Sequence, residues 1–336
     1  PAPDISVIVL NWNGRDLLPG CLDSLIRQTA NCEIILVDNG SRDGSARYVA
    51  ERWPQVRLLA LAHNRGFSGG VNAGLLAARG RYLALFNNDA AATSPDFLER
   101  LAAPLEADPT LGCAAGALTF AHQPDLVASA GIRMLRNGLA LDAGALEPVS
   151  ALPDAPRPVF GASGGAACFR REALQDVGVF DEGYFAYLED ADLAWRLRGR
   201  GWGCALAPGA IATHIYSATG GEGSPLKNWL LGRNRLRLLL RCLPAPILRR
   251  DWPAIVAYDA LAMAQAVARR RWTTITGRLA ALADWRALLD QRRVIQSRYT
   301  TRLMDLDGWI EPDPGPLALW RDARRLAAVL ADRPAG

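Results

Sequence analysis

The sequence predicts an α/β fold: a doubly wound, mostly parallel sheet followed by a C-terminal helical extension. Short runs of β-branched and aliphatic residues alternate with longer segments whose apolar residues recur at helical spacing. This strand–helix order makes consecutive strands parallel, because each helix carries the chain back across the sheet. The strands predicted in the first part of the chain are Ile5–Leu10, Glu33–Val37, Val56–Ala60 and Tyr82–Phe86.

Three helical segments separate these strands. The first, about Leu17–Thr29, has its leucines on one face, and the second ends near Arg52. The glycine-rich segment Asn64–Gly70 is interpreted as a loop that opens the third helix, Val71–Ala78, and lets backbone approach a phosphate or sugar closely. It is not a dinucleotide-binding fingerprint, which would follow the first strand, and the Gly-Lys-Ser/Thr of a Walker A loop is absent.

The middle of the chain continues the pattern with a polar hairpin and a long stretch from residue 161 to 202. In that stretch we expect a small-residue loop, a helix, an aromatic run and a second helix that opens with acidic residues. The elements expected here are a helix Phe97–Glu106, a strand Gly112–Phe120, a pairing within Arg133–Leu141, a helix Leu193–Arg198, and strands Cys204–Ala207 and Ala210–Tyr216.

The character of the chain changes from about Pro225. We expect an α/β region, residues 1–222, with two halves (1–100 and 101–222), and a helical region, 223–336. The helices expected in the second region are Lys227–Leu243, Trp252–Arg271 and Thr273–Arg298. Their arginine-rich faces are most simply solvated. Alternatively, the arginines and Trp229, Trp252 and Trp272 suit a membrane surface with anionic lipids.

Composition excludes several classes of protein. The net charge of +4 and the pI near 8.9 are too mild, without a nucleic-acid-binding motif, to indicate DNA or RNA as a partner. The six cysteines lack metal-site spacing, which argues against a zinc site or a disulfide framework and fits a reducing cytoplasm. We expect no signal segment and no membrane span, and hence a cytoplasmic location or a peripheral one on the inner face of the plasma membrane.

Four polar segments follow the predicted strands, and together they indicate a binding site. In an open parallel sheet, ligands bind beyond the carboxyl ends of the strands. One such segment alone is weak evidence, because Asp and Asn are common turn residues. The four segments are Asn11–Asn13, Asp38–Ser41, Asn64–Gly70 and Asn87–Asp89.

An acidic cluster after the aromatic run is the second candidate feature. Glu189, Asp190 and Asp192 open a predicted helix, and acids at a helix N-terminus are stabilised by free N–H groups and the helix dipole. The cluster is therefore either an ordinary helix cap or a general base held beside an apolar wall. Its position between aromatic residues and a small-residue loop favours the second interpretation.

A nucleoside diphosphate at the strand ends would need a counter-charge. Asp89 with His214 could hold Mn²⁺, and a carboxylate also suits Mg²⁺. The cation would stabilise a leaving diphosphate, while Asp190 takes the proton of an attacking hydroxyl. The alternative for His214 is a hydrogen-bonded residue at a strand end.

The segments that carry these residues resemble the family 2 glycosyltransferases of the GT-A fold. The resemblance extends from about Ile5 to Arg235 and is closest to bacterial rhamnosyltransferases and galactofuranosyltransferases of cell-surface polysaccharide assembly. The motifs that match, in the family's order, are SVIVLNWNG, ILVDNGSRDGS, NRGFSGGVNAGL, LALFNNDA, SGGAACFRREAL, FDEGYFAYLEDADLAWRLRGRGW and RNRLRLLLR.

The resemblance implies that residues 1–222 are a catalytic region, with a nucleotide-binding half (1–100) and an acceptor half (101–222). It also implies a role for each matching residue. Asp190 matches the catalytic base of inverting members, and Glu189 is its neighbour that contacts the acceptor or donor sugar. Asp89 and His214 hold the metal, and Asn87 stands where the family's D-x-D motif has its first Asp. The positions implied to bind the nucleotide sugar are Leu10, Asn11, Trp12, Asn13, Asp38, Asn39, Arg65, Gly69, Asn72, Asn87 and Asn88.

These inferences predict an inverting glycosyltransferase that depends on a divalent metal, Mn²⁺ or Mg²⁺. The donor expected from the subgroup is dTDP-L-rhamnose, with UDP-galactofuranose, UDP-hexoses and GDP-sugars as alternatives. The acceptor is a hydroxyl of a cell-surface glycan or of a lipid-linked acceptor. Two other functions compete: a non-catalytic nucleotide-sugar-binding subunit, which Asn87 favours, and a sugar nucleotidyltransferase. The C-terminal helices would contact a membrane or form a homodimer.

Overall fold

A large, mixed sheet forms the centre of the protein. The computed structural model describes residues 2–215 and 223–332. The strands are β1 (Ile5–Asn11), β2 (Cys32–Asp38), β3 (Arg57–Ala60), β4 (Tyr82–Asn87), β5 (Ala90–Ala92), β6 (Leu111–Phe120), β7 (Gln123–Ser129), β8 (Ile132–Leu135), β9 (Ala140–Asp142), β10 (Arg157–Pro158), β11 (Ala166–Arg170), β12 (Gly203–His214) and β13 (Ile310–Glu311).

Helices cover both faces of this sheet and make up most of the C-terminal third. They are α1 (Leu18–Ile26), α2 (Ser45–Arg52), α3 (Gly66–Ala77), α4 (Phe97–Ala107), α5 (Arg171–Val177), α6 (Glu189–Gly199), α7 (Pro225–Cys242), α8 (Ala245–Ala268), α9 (Trp272–Ala283), α10 (Trp285–Ser297), α11 (Leu303–Asp307) and α12 (Pro316–Ala331). The predicted boundary at 222/223 falls at the end of 216–222, which lies outside the described residues.

The four predicted N-terminal strands are present and parallel, in the order β3-β2-β1-β4. Aliphatic side chains on both faces bury β1, as the unbroken apolar run predicts. The register pairs Asn11 with Asp38 and Leu10 with Asn87. The carboxyl ends of these strands therefore meet at one edge of the sheet, which is where the sequence predicts a ligand.

Strand β11 was not predicted. It follows the small-residue loop directly and lies antiparallel between β4 and β6. Its residues, Ala166–Arg170, are mostly small and follow two glycines, so they carry little intrinsic strand signal. Tertiary pairing on both sides forms this strand, and it brings the preceding loop against the end of β4, where the Asn87 N–H donates to the Gly165 carbonyl (3.0 Å).

The glycine-rich segment is largely helical, which corrects its interpretation as a loop. Helix α3 already begins at Gly66, so Gly69 lies inside it. A Cβ placed on Gly74 would come 2.5 Å from Ile8 Cγ2, and one on Gly70 would collide with Leu10. These two glycines allow α3 to pack closely on β1, and they are required by packing whatever the ligand.

Several other boundaries differ from the predictions. The strands predicted at 204–207 and 210–216 form the single strand β12, which ends at His214 and whose register shifts between Leu206 and Ile211; the predicted end at 216 lies outside the described residues. The helix predicted at 273–298 is divided at Asp284 into α9 and α10. Helix α8 begins at Ala245, earlier than predicted, because prolines are tolerated in a first helical turn. The pairing expected within 133–141 is present as β8–β9.

The basic residues of α7 are mostly buried, so their interpretation as a solvated face is wrong. Arg235, Arg237 and Arg241 are at most about 6% exposed. They form ion pairs with Asp181, Asp192 and Asp259 of other segments. Helix α7 therefore packs its charged side onto the rest of the protein. No helix in the described ranges is both long and apolar enough to cross a membrane.

Candidate active site

Side chains from neighbouring strand ends meet around Asn11. The Asn88 amide donates to Asn11 Oδ1 (2.8 Å), and Asn11 Nδ2 lies 3.4 Å from both Asp38 Oδ1 and Ser41 Oγ. Asn11 is fully buried, so these contacts replace the water that its amide loses on folding. Polar groups from the first, second and fourth parallel strands are thus joined in one network, as the strand order predicts.

Residues 38–42 form a turn that holds the loop after β1. The Ser41 N–H donates to Asp38 Oδ2 (3.2 Å), and the Asn13 N–H donates to Ser41 Oγ (2.9 Å). In return, the Arg42 N–H donates to Asn13 Oδ1 (2.7 Å), and Asn13 adopts a left-handed φ of 50°, which asparagine tolerates better than most residues. The turn leaves Trp12 39% exposed at the rim.

Asn39 ties the end of β2 to the start of α3. Its amide donates to Asn64 Oδ1 and to the Gly66 carbonyl, both at 3.0 Å, and its Oδ1 accepts from the Arg65 N–H at 2.9 Å. Leu10 lies half-buried beneath the same helix. Asn39 is therefore fully engaged within the protein and shapes this edge through the backbone of residues 64–66.

Arg65 and Asn72 both contact Glu182. Arg65 Nη2 donates to the two Glu182 carboxylate oxygens at 3.0 and 2.9 Å, while Asn72 Nδ2 donates to the Phe180 carbonyl (2.9 Å) and reaches Glu182 at 3.4 Å. Gly69 lies between Arg65 and Glu182. Glu182 was not among the predicted site residues, and only its place in the motif before Glu189 could have indicated it.

Asp89 and His214 lie side by side, as the predicted metal site requires. Asp89 follows β4, and His214 ends β12, which pairs with β5 so that His214 is opposite Ala90. His214 Nε2 is 3.0 Å from Asp89 Oδ1 and 3.2 Å from Asn87 Nδ2, and both Asp89 and His214 are about 9% exposed. The two residues, 125 positions apart in sequence, are brought together by the pairing of β12 with β5, the short strand that directly follows Asp89.

These two side chains fit part of a divalent metal site. One ring nitrogen cannot donate to a carboxylate and also accept from an amide, whereas a cation on Asp89 would use the Nε2 lone pair. Carboxylate with imidazole is a donor set suited to Mn²⁺. Among the described residues no third His, Cys, Asp or Glu completes a metal cage. A cation here would therefore need oxygen ligands from a bound substrate or from water.

Glu189 and Asp190 form the first turn of α6. Asp190 Oδ1 accepts from the Ala191 N–H (2.8 Å), and Oδ2 accepts from the Gly164 N–H at 3.4 Å. Burial raises the pKa of Asp190 to about 6; the two backbone donors oppose this, and the charge of Asp142 adds to it. Burial and the charge of Asp190 hold the pKa of Glu189 well above its usual range. The two acids therefore differ: the pKa of Asp190 is about 6, while Glu189 keeps its proton to a higher pH than an ordinary carboxyl does.

Loop 161–165 joins the acids to the metal position. Gly164 contacts Asp190, and the next residue, Gly165, accepts the N–H of Asn87 (3.0 Å), whose side chain contacts His214. A Cβ on Gly165 would come 2.8 Å from Leu118 and 3.3 Å from Asn87 Nδ2. The small residues of this loop therefore allow the acidic end of α6 to approach the strand edge.

Asp192 has different partners from Glu189 and Asp190. It is completely buried and accepts hydrogen bonds from Tyr184 Oη (3.1 Å) and Arg196 Nε (2.8 Å). Arg241 Nε lies 3.5 Å away. With its oxygens occupied by buried partners, Asp192 stabilises the junction of α6, α7 and the aromatic run.

The aromatic run before α6 has an unusual backbone. Phe185, Tyr187 and Leu188 have φ of 66°, 70° and 68°, in the left-handed region that costs non-glycine residues roughly 1 kcal/mol or more each. Asn234 of α7 donates through Nδ2 to three carbonyls of this run, those of Tyr184 (3.0 Å), Ala186 (2.7 Å) and Tyr187 (2.8 Å). A residue of the C-terminal helices thus supports the loop that carries the acids.

Asp142 was not predicted. It ends β9, opposite Ile132, whose N–H donates to the Gly161 carbonyl (2.8 Å) at the start of the 161–165 loop. Burial raises the pKa of Asp142, while Ser129 and the charges of His214 and Lys227 oppose the shift. The charge of Asp142 in turn raises the pKa of Asp190, so Asp142 acts on the proposed base. A lone Asp in a polar hairpin offered no sequence signal for this.

The sequence is similar to known glycosyltransferases. The model of the family described as "Glycosyl transferase family 2" matches residues 6–178. A curated relative from Mycobacterium tuberculosis, "N-acetylglucosaminyl-diphospho-decaprenol L-rhamnosyltransferase", is 30% identical over 236 residues, covering 62% of this chain and 75% of that protein. The aligned region is thus much longer than any single motif of the sequence.

Two solved structures have the same fold at low sequence identity. One is a mannosyltransferase from Pyrobaculum calidifontis in complex with GDP-Man and Mn²⁺, with a TM-score of 0.52 at 19% identity over 89% of this chain and 86% of that one. The other is GalNAc-T7 with UDP, GalNAc and Mn²⁺, with a TM-score of 0.58 at 19% identity over 71% of this chain and 48% of that one. Both likenesses agree with the predicted GT-A architecture.

Proposed function

Since the chain belongs to glycosyl transferase family 2, we propose that it is an inverting, metal-dependent glycosyltransferase that uses a nucleoside-diphosphate sugar. One observation carries the proposal: Asp190, with a pKa raised to about 6, is joined through residues 164–165 to the edge that holds Asn87, Asp89 and His214. A base and a candidate cation site are thus held on the two sides of one short loop.

In the proposed reaction, the acceptor hydroxyl oxygen bonds to the anomeric carbon of the donor sugar as the bond from that carbon to the diphosphate oxygen breaks. Asp190 takes the hydroxyl proton, and the nucleoside diphosphate leaves with the bonding electrons. Single displacement inverts the anomeric configuration. A divalent cation on Asp89 and His214 would supply charge stabilisation to the leaving diphosphate.

Glu189 would be a hydrogen-bond donor in this site. Burial and the charge of Asp190 raise its pKa, which favours the protonated carboxyl, and its Oε2 has no hydrogen-bond partner among the described residues. A buried polar atom without a partner usually has one in a functional complex. A hydroxyl of the donor or acceptor sugar is the partner that fits this chemistry.

For the donor, we propose L-rhamnose carried by dTDP, with UDP-galactofuranose, UDP-hexoses and GDP-sugars as alternatives. The support is the similarity to the mycobacterial relative, which is named an L-rhamnosyltransferase. That relative's name states an acceptor attached to diphospho-decaprenol, so we propose a lipid-linked acceptor and a peripheral position at a membrane. The nucleotide would bind along Leu10–Asn13, Asp38 and Asn39, with Arg65 and Asn72 near its diphosphate or ribose.

A non-catalytic nucleotide-sugar-binding subunit is the second candidate. Asn87 favours it, because an amide at the first D-x-D position lowers the charge available to a metal. Asp190 with its raised pKa argues against it, because Asp190 forms no ion pair among the described residues, and a desolvated carboxylate without a partner charge is costly to keep.

Melting temperatures with dTDP, UDP and GDP, each with and without Mn²⁺, test the proposal. A ligand at 100 times its Kd adds about 2.7 kcal/mol, which raises the melting temperature by several degrees. A Mn²⁺-dependent shift with one nucleotide, followed by release of that nucleoside diphosphate from its sugar donor with an acceptor, is the expected result. A shift without product would favour the binding subunit, and pyrophosphate as product would indicate nucleotidyl transfer.

A further inference from the structure

Helix α8 presents an apolar face to solvent. Trp252, Val256, Leu261 and Val267 are each at least half exposed. With the exposed Ala260 and Ala264 they define the α8 face. In an ordinary soluble protein, a helix buries its apolar side and exposes a polar one. The residues of α8 that point inward are Ile247, Asp251, Ile255 and Ala266. The outward side is apolar as well, so a further surface is needed to cover it.

The charges of α8 are arranged around this face and not within it. From Trp252 to Ala268 the sole charged residue is Asp259, and it points toward Arg235 and Arg278, with which it forms ion pairs at 3.1 and 2.9 Å. Exposed arginines stand at the two ends: Arg249 before the face, and the run 269–271 after it. Exposed tryptophans, Trp252 and Trp272, lie at the same two ends.

We propose that the α8 face binds a membrane surface rich in anionic lipid, with the helix lying flat in the headgroup region. Apolar side chains would enter the acyl boundary, tryptophans would lie at headgroup level, and the terminal arginines would pair with lipid phosphates. The proposal extends the proposed function, since a lipid-linked acceptor lies in a membrane, but its test needs no sugar donor.

A second copy of the chain is a poorer occupant. A twofold contact puts the same face on both partners, so an antiparallel pair of α8 helices would bring residues 269–271 of one copy toward Arg249 of the other. No exposed acid within the face, as described here, would neutralise this repulsion. A surface of negative headgroups neutralises it directly.

Vesicle sedimentation tests the proposal. We expect the wild type to bind vesicles of phosphatidylcholine with about one-third phosphatidylglycerol at least tenfold more tightly than phosphatidylcholine alone, and the binding to weaken with salt. Val256→Glu with Leu261→Glu should reduce binding to background. Each Arg→Gln change within 269–271 should weaken it about fivefold. Leu76→Glu, the same change at a leucine that is 82% exposed on α3, should bind like the wild type.

Nucleotide-dependent melting shifts show that each variant is folded. Equal binding to both vesicle types, or wild-type binding by the Val256→Glu, Leu261→Glu variant, would overturn the proposal. So would a dimer in sedimentation velocity that this variant converts to monomer without any vesicle binding, because the occupant would then be a second copy. Failure of vesicle binding with intact transfer would leave the proposed function standing.

A separate observation, the contacts of Asn234, carries a second inference. Asn234 is completely buried, and its amide nitrogen holds three carbonyls within residues 184–187 with two hydrogens, so at least one hydrogen is shared. The run it holds ends at Leu188, directly before Glu189 and Asp190. We infer that Asn234 is a positioning residue that fixes the orientation of the two acids.

Asn234→Asp tests this inference, because it replaces the donor with an acceptor facing the same carbonyls. We expect kcat to fall tenfold to hundredfold and the pH midpoint of kcat to move, with donor KM and nucleotide melting shifts unchanged. Asn228→Ala is the matched control on α7, since within the described part of the chain the Asn228 amide donates to the exposed Gly223 carbonyl and not to residues 184–187. Wild-type kcat with a lowered melting temperature would mean that Asn234 serves stability alone.

Discussion

The two sides of the candidate active site are held together in different ways. At the strand edge, Asn11, Asp38 and Asn88 bind one another from adjacent parallel strands, and their positions follow from strand register. On the acid side, Glu189 and Asp190 follow a strained run that Asn234 holds from 47 to 50 residues away. The strand edge is thus a property of the sheet, while the acid side depends on the C-terminal helices.

This difference separates binding from turnover. Substitutions at the strand edge should act on nucleotide affinity, and substitutions on the acid side should act on the chemical step. The helices after residue 223 should influence turnover although they carry no proposed reacting group. The experiments that follow test this separation.

The largest effect is expected from Asp190→Asn. Removing the base should lower transfer by about 10²- to 10⁴-fold, while the nucleotide-dependent melting shift stays within about twofold in affinity. Its counterpart is Asp38→Asn at the strand edge, which should weaken nucleotide binding and lower kcat much less. Steady-state kinetics with melting shifts measures both. Loss of nucleotide binding in Asp190→Asn would contradict the assignment of binding to the strand edge and of the chemical step to the acid side.

The metal position lies between the two sides and should affect both. His214→Ala should abolish the Mn²⁺-dependent part of the melting shift and lower transfer roughly hundredfold, because the leaving diphosphate loses its charge partner. Thr213→Ala, one residue earlier on β12, is the control. A Mn²⁺ response retained in His214→Ala would contradict the proposed ligand.

Asn87→Asp tests the same metal position through an expected gain in metal affinity. A second carboxylate beside Asp89 should lower the Mn²⁺ concentration for half-maximal activity about tenfold, since metal affinity rises with ligand charge. Titration of activity with Mn²⁺ measures this. An unchanged midpoint would mean that residue 87 does not reach the metal, and that its contact with His214 is its main role.

The pH dependence should report the acid side alone. Asp190 acts ionised, so kcat should rise with pH around a midpoint near 6, and Asp142→Asn should lower that midpoint because the Asp142 charge raises the pKa of Asp190. Glu189→Gln should leave the midpoint near 6, since burial and the charge of Asp142 are what raise the pKa of Asp190. A midpoint near 4 would contradict the burial of Asp190.

The same pKa predicts an effect on stability. The folded-state pKa of Asp190 lies above its unfolded value of about 3.8, so the stability it contributes is complete below pH 4 and lost as pH rises through 6. At pH 7.5 the buried charge costs on the order of 3 kcal/mol, and Asp190→Asn should melt higher than the wild type there. At pH 4 the two melting temperatures should converge.

The smallest effect is expected at the contact between the two sides, Arg65–Glu182. Both side chains are substantially exposed, so their ion pair contributes at most about 1 kcal/mol. Glu182→Gln should free the Arg65 guanidinium and lower donor KM two- to threefold, with kcat unchanged. Initial rates over a range of donor concentration measure this. A large loss of kcat would assign Glu182 to the acid side.

The sequence determined the parallel strands and the edge where Asn11, Asp38, Asn64 and Asp89 meet, because unbroken aliphatic runs and strand–helix alternation encode both locally. It also indicated Asp190 and His214, through motif order. Only the tertiary structure formed β11, buried the arginines of α7, separated Asp192 from its neighbours and brought Asp142 and Asn234 to the site. The reason is physical: small residues, buried charges and a strained run acquire their conformation from partners distant in sequence, and local pattern carries no record of those partners.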